Sequence, residues 1–170
     1  GNGKENEMDR IKIAIDTLGG DNGCEFIMLG ISEAMAKYDD VDIVVTGKEE
    51  EIKTYMKKYN CDSNRITIIN ATEEITCHDA PVEAIRTKKD SSLVLALNEV
   101  KNGNAKACIS SGNSGAILAG GQLIIGRAKG VKRTPLAPLL PTKGAPSLLI
   151  DCGANVDAKP ENLVQFAKMG

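Results

Sequence analysis

The sequence predicts an α/β fold built on a mostly parallel, buried sheet. Short β-branched runs alternate with helix-periodic stretches, joined by short turns, which is the pattern of strands covered by helices on both faces. Trp is absent and aromatic residues make up 3% of the 170, so aliphatic side chains must fill the interior. Hydrophobic residues at 42% and charged residues at 26% are ordinary for a soluble globular chain, and the length suffices for one domain with a real core.

The elements follow in order. Residues 1–9, GNGKENEMD, are polar and unlike the rest, and read as a disordered leader or expression remnant; the α/β domain is expected over 10–170. IKIAID (11–16) is the first strand. Residues 22–38 place Ile27, Ile31, Ala34, Met35 and Tyr38 on one helical face. DIVVTG (42–47) is the second strand. KEEEIKTYMKKY then forms an exposed helix with Glu49 and Lys53 at four-residue spacing. RITIINA (65–71) is the third strand. Pro81 fits the first turn of a short helix with Asp79 as a cap, and Asp90 or Ser91 caps the next helix, SSLVLALNEV. KACIS is a strand, followed by a glycine turn and an apolar helix to about Arg127. LAPLL and PSLLID read as two further strands. PENLVQFAKMG begins another helix, with Asp157 a candidate cap.

Net charge is −2, but unevenly spread. Between Val100 and Ile150 no residue is acidic, while Lys101, Lys106, Arg127, Lys129, Lys132, Arg133 and Lys143 are basic. Such a segment suits an anionic ligand or partner, or else a merely solvated surface. Nucleic acid is not expected, given few aromatics and no basic balance overall. Five cysteines without a C-x-x-C pair read as reduced thiols, with Cys108 and Cys152 inside apolar runs. The longest apolar run, Ala116 to Ile125, is broken by Gln122 and too short to span a bilayer. His78, in a Cys-His-Asp-Ala-Pro turn, reads as a surface residue.

Ligands on parallel sheets bind at the carboxyl ends of strands. Three loops qualify. Ser111-Gly112-Asn113-Ser114-Gly115 sits between a strand and a helix, where backbone N–H groups lack helical partners and favour an anion. The same turn would equally serve close packing, and it matches neither G-x-x-x-x-G-K-[ST] nor G-x-G-x-x-G. Asp16-Thr17-Leu18-Gly19-Gly20-Asp21 offers two carboxylates, for a metal, a cation or acid–base work, or simply a turn and a helix cap. Asp151, Asn155, Asp157 and Lys159 form the third cluster.

Five motifs in order are more specific than any one loop: Asp16-Thr-Leu-Gly-Gly-Asp21, Pro81-Val-Glu-Ala-Ile-Arg-Thr-Lys-Lys-Asp-Ser-Ser92, Ser110-Ser-Gly-Asn-Ser-Gly-Ala116, Pro135-Leu-Ala-Pro-Leu-Leu-Pro-Thr142 and Asp151-Cys-Gly-Ala-Asn-Val-Asp157. Together they resemble the PlsX-type phosphate acyltransferases of bacterial phospholipid synthesis, from Ile11 to Gly170. Glu83 and Thr87 stand where that family commonly has basic residues, Ser114 where it has Thr, and Cys152 where it has Val. Family members are about twice as long, so the chain reads as an N-terminal half.

The resemblance implies a three-layer α/β/α sandwich related to phosphotransacetylases and the isocitrate dehydrogenase-like group. It implies transfer of a fatty acyl group from acyl carrier protein to inorganic phosphate, giving acyl phosphate, in a cytoplasmic homodimer with peripheral contact to the inner membrane face assigned to the second half. No organic cofactor is implied, and a metal only through the aspartates. Within it, Gly112, Asn113, Ser114 and Gly115 form the phosphate or oxyanion cradle, with Arg86 and Lys89 as charge partners. Asn113, Ser114, Asp16 and Asp21 are the catalytic candidates. Gly19, Gly20, Thr142, Lys143, Asp151, Asn155 and Asp157 line the cleft. Arg127, Lys129, Lys132 and Arg133 face the acidic carrier protein. A short-chain phosphotransacetylase acting on coenzyme A thioesters, and a non-catalytic anion-binding fragment, are the alternatives.

Overall fold

A computed structural model describes residues 10–170, and the leader expected over 1–9 lies outside the described residues. The elements are β1 (Ile11–Asp16), α1 (Gly23–Lys37), β2 (Val41–Gly47), α2 (Glu49–Lys58), β3 (Ile66–Asn70), α3 (Pro81–Thr87), α4 (Ser92–Lys101), β4 (Ala107–Ile109), α5 (Ser114–Gly120), β5 (Leu139–Leu140), β6 (Ser147–Leu148) and α6 (Pro160–Met169). The first four strands form one parallel sheet in the order β3-β2-β1-β4.

Period-two alternation sends successive side chains of β1 and β2 to opposite layers. Ile15, Ile43 and Val45 pack with Cys24, Met28, Ile31 and Met35 of α1 and Ile52 of α2. Ala14 and Val44 face the other way, onto Ala96 of α4 and Ala105. Ala84 and Ile85 of α3, Leu93, Val94 and Leu97 of α4, and Ala116 and Ala119 of α5 extend that second layer. The result is the expected α/β/α sandwich.

Local chemistry explains most boundaries. The buried seam of α1 keeps the predicted Ile31 and Met35, but it runs through Cys24 and Met28, while Tyr38 is 48% exposed beyond the helix end. At that end the Arg65 guanidinium donates to the carbonyls of Met35 and Tyr38, groups left over at the helix terminus, and to that of Val41 at the start of β2. Ser91 caps α4 through the N–H of Val94. Asp90 instead accepts from the N–H and hydroxyl of Thr72. Asp79 does not cap α3, whose first position follows Ala80 without a side-chain bond. Asp157 does not cap α6; Asn162 Oδ1 accepts from the N–H of Lys159 there.

Two further expectations change. The apolar helix after the glycine turn changes its winding: α5 stops at Gly120 and continues as a π-helical turn over Gly121–Ile125 that ends at Gly126, φ +95°. LAPLL and PSLLID do not join the parallel sheet. They form the exposed antiparallel hairpin of β5 and β6. Pro138 and Pro141 flank β5 and lack the N–H a longer ladder needs.

Candidate functional site

From β1 the chain steps outward to β2 and β3, then returns to place β4 on the opposite side of β1. The carboxyl ends of β1 and β4 therefore flank a topological switch point, the usual ligand position on such a sheet. The loops after β1 and β4 meet there with the segment leading into α3. The N–H of Gly19 donates to Glu74 Oε1 at 3.1 Å. A side chain at Gly19 would start 3.8 Å from the Cα of Gly112, and one at Gly115 would start 2.7 Å from Pro81 Cγ.

Asp16 forms the floor. It is 2% exposed, at the end of β1. Its Oδ2 accepts from the Ser110 hydroxyl at 2.7 Å, and its Oδ1 accepts from the N–H of Leu18 at 3.0 Å. Ser110 Oγ in turn accepts from the N–H of Gly112 at 3.1 Å, so carboxylate, hydroxyl and amide form one chain of bonds. Burial raises the Asp16 carboxyl above its ordinary value, a rise that hydrogen bonds from Ser92, Ser110 and Leu18 partly offset and the Glu74 charge increases.

A carboxyl with a raised folded-state pKa holds its proton more tightly folded than unfolded, so its contribution to stability falls as pH rises from the ordinary 3.8 through the raised value. Asp16→Asn keeps the acceptor for Leu18 and removes that fall. Urea unfolding at pH 4 and pH 7 should show the variant gaining on the parent at the higher pH. A variant that loses ground between those pH values would contradict the assignment.

Asn113 closes the site from above. Its Oδ1 accepts from the N–H of Ala116 at 3.0 Å, and its Nδ2 donates to the carbonyls of Thr76 at 3.1 Å and Asp79 at 3.2 Å. Asp79 Oδ2 accepts from the N–H of Thr76 at 2.7 Å and pairs with Lys88 Nζ at 2.7 Å. Those bonds, Lys88's first, hold the Asp79 carboxyl below its ordinary value. Lys88 also donates to the Glu74 carbonyl at 2.8 Å. The basic residue built into the site is thus Lys88. Its sequence neighbour Lys89 bonds the Ile85 carbonyl at the end of α3, and Arg86 is exposed. Lys88 and Ser110 were not singled out from sequence, because nothing local distinguishes one lysine of a Lys-Lys pair or one serine of a Ser-Ser pair.

The glycine turn divides its amides. Gly112 gives its N–H to Ser110 and Ala116 gives its own to Asn113, while the N–H groups of Asn113, Ser114 and Gly115 have no hydrogen-bond partner among the described residues. Next to them lies a cavity of about 490 Å³, bordered by Gly115, Leu118, Lys132, Arg133 and Asn155 among others.

The remaining candidates scatter. Asp21 is exposed. Asp151 is turned into its own loop: Oδ1 accepts from the N–H of Leu136 at 2.8 Å, and Oδ2 from the N–H and Nδ2 of Asn155 at 2.8 and 3.0 Å. Burial raises its carboxyl, but those bonds outweigh it and leave the group below its ordinary value. Asn155 Nδ2 also reaches the Thr134 carbonyl at 3.2 Å, so the third cluster anchors the cationic segment. Thr142 bonds the Ala145 carbonyl at the tip of the hairpin, with Lys143 exposed beside it, and neither borders the cavity. Asp157 is exposed and offers its carbonyl to Arg133. Arg127 and Lys129 lie on an exposed loop, where the Arg127 guanidinium donates to the Lys132 carbonyl.

Burial and the Asp16 charge push the Cys108 thiol up to about 12, far from a nucleophilic thiolate. Cys152, which lies in an apolar run of the sequence, is exposed in the loop that follows the hairpin. His78 is exposed. Among the described residues no helix is long and apolar enough to cross a membrane, and no group of three or more His, Cys, Asp or Glu side chains is placed to hold a metal ion.

Known proteins share this fold. The phosphotransacetylase of Streptococcus pyogenes superposes with a TM-score of 0.67 at 21% identity, over 93% of this chain and 51% of that one. The EutD phosphotransacetylase of Staphylococcus aureus superposes at 0.66 and 19% identity, over 94% and 51%. At that identity the likeness is one of fold. In sequence, a phosphate acyltransferase of Clostridium novyi is 48% identical over 160 residues, 94% of this chain and 48% of that protein. One of Clostridium botulinum, strain Loch Maree, is 50% identical over 158 residues, 93% and 47%. The chain thus spans about half the length of the relatives it matches. The family model described as fatty acid synthesis protein matches residues 11–170, and with these relatives it places the chain in that family, the PlsX-type proteins that its loop motifs resemble.

Proposed function

We propose that the protein carrying this chain transfers a fatty acyl group from acyl carrier protein to inorganic phosphate, giving an acyl phosphate for phospholipid synthesis. The observation that carries this reading is the row of unpartnered N–H groups at Asn113, Ser114 and Gly115, at the switch point of a chain whose relatives are phosphate acyltransferases.

The reaction asks little covalent chemistry of the protein. A phosphate oxygen attacks the thioester carbonyl carbon, the carbonyl oxygen becomes an oxyanion, and the carbon–sulfur bond then breaks to release thiolate. A thiol with a pKa of about 8.5 is a fair leaving group. What remains is to hold phosphate beside the thioester and stabilise the oxyanion with fixed donors. The free amides of the glycine turn supply such donors. Asp16 and Ser110 fix the turn from below, and Asn113, Asp79 and Lys88 fix it from the side. The exposed Arg127 and Lys129 suit an acidic carrier protein.

The test is phosphate-dependent thiol release by the protein that carries this chain, measured with a palmitoyl thioester of acyl carrier protein and with acetyl and palmitoyl coenzyme A. Faster release from the carrier-protein thioester is expected. Preference for acetyl coenzyme A would make it a short-chain phosphotransacetylase, and no release from any donor would leave an anion-binding protein.

A further inference from the structure

The cavity beside Gly115 is mixed in a specific way. Val82, Leu118 and Ala119 give it aliphatic walls, and Lys132, Arg133 and Asn155 give it polar ones. Among the described residues no carboxylate borders it. The two cations are weakly engaged. Lys132 Nζ lies 3.9 Å from Glu161 with both side chains more than 60% exposed, and Arg133 Nη1 is 3.4 Å from the Asp157 carbonyl. Exposed pairs at such separation contribute little. Two available cations beside an aliphatic wall suit a molecule with an anionic head and a hydrocarbon body, and the volume lies in the range of small-molecule sites.

We propose that this cavity binds the acyl phosphate itself, with Lys132 and Arg133 on the phosphate and the first carbons of the chain against Val82, Leu118 and Ala119. The proposal rests on the acyl-transfer reading above and assigns these two cations to the reaction product rather than to the carrier protein. Arg133 is the stronger candidate, because its planar fork matches phosphate oxygens bidentately. Asn155, held by Asp151 and the Thr134 carbonyl, fixes the backbone from which both cations project.

Octyl phosphate, a stable single-chain analogue, serves as the probe, titrated by calorimetry beside inorganic phosphate into the protein that carries this chain. Arg133→Met and Lys132→Met should each weaken octyl phosphate by about tenfold, the loss of one charge-assisted hydrogen bond. Val82→Trp narrows the aliphatic wall from an exposed position, so it should weaken octyl phosphate and leave inorganic phosphate unchanged. Absence of octyl phosphate binding, or binding that none of the three variants alters, overturns the proposal. Thiol release by the same variants separates it from the reading it rests on. If they bind as expected but the parent releases no thiol, the ligand site stands and the reaction fails. If the parent releases thiol and the cation variants affect only the carrier-protein thioester, the reaction stands and the two cations are a docking surface.

Discussion

Replacing Gly19 by Ala should lower stability by about 3 kcal/mol, combining left-handed backbone strain with overpacking against a fixed group. Gly19 has φ +78°, and its new Cβ would stand 2.5 Å from the Ile75 carbonyl oxygen. A backbone carbonyl cannot rotate away. The melting temperature should fall by roughly 6–12 °C for a domain of this size. Gly20→Ala is the control. Its Cβ would meet the Ser111 hydroxyl, which can turn aside, and its φ is not left-handed. That variant should lose less than about 1 kcal/mol. Equal losses at both positions would mean that the Gly19 loop gives way easily and that the three loops are not packed as described.

Asn113→Ala should remove a helix cap and leave two carbonyls short of a donor, for a combined loss of about 2–3 kcal/mol. The carbonyls are those of Thr76 and Asp79, so hydrogen exchange in that segment should quicken. Under the proposed reaction, turnover should fall about 10²-fold, because the turn that presents the free amides loses its anchor. Asn113→Asp keeps the cap acceptor but has no donors for the two carbonyls, so it should restore part of the stability and little of the turnover. If Asn113→Ala abolishes turnover while stability and exchange stay as in the parent, the side chain acts on substrate directly rather than through the loop.

The site residues differ in how legible they were. Gly19 and Gly112 stood out because small residues after a strand mark tight turns wherever they occur. Asn113 stood out for the same reason, but its side chain turned out to serve a segment more than thirty residues away. Asp16 was visible as a carboxylate ending a strand, yet its hydroxyl partner is Ser110, 94 residues further on. Lys88 was passed over for Lys89, since only the folded loop shows which one reaches Asp79. Lys132 and Arg133 were legible as charge, and their position on a cavity with Gly115 was not.

What the sequence determined by itself is the alternation of strand and helix, a mostly parallel buried sheet and the position of the glycine turn. Each depends on residues within a few positions of one another, where periodicity and backbone preference act. Only the tertiary structure decided the strand order that sets β4 beside β1, the exposed hairpin in place of two sheet strands, and the partners of Asp16, Asn113 and Lys88. Those depend on which distant groups remain unsatisfied when the layers pack, because a buried polar group takes the partner within reach of its atoms, and reach is set by the folded chain rather than by spacing along it.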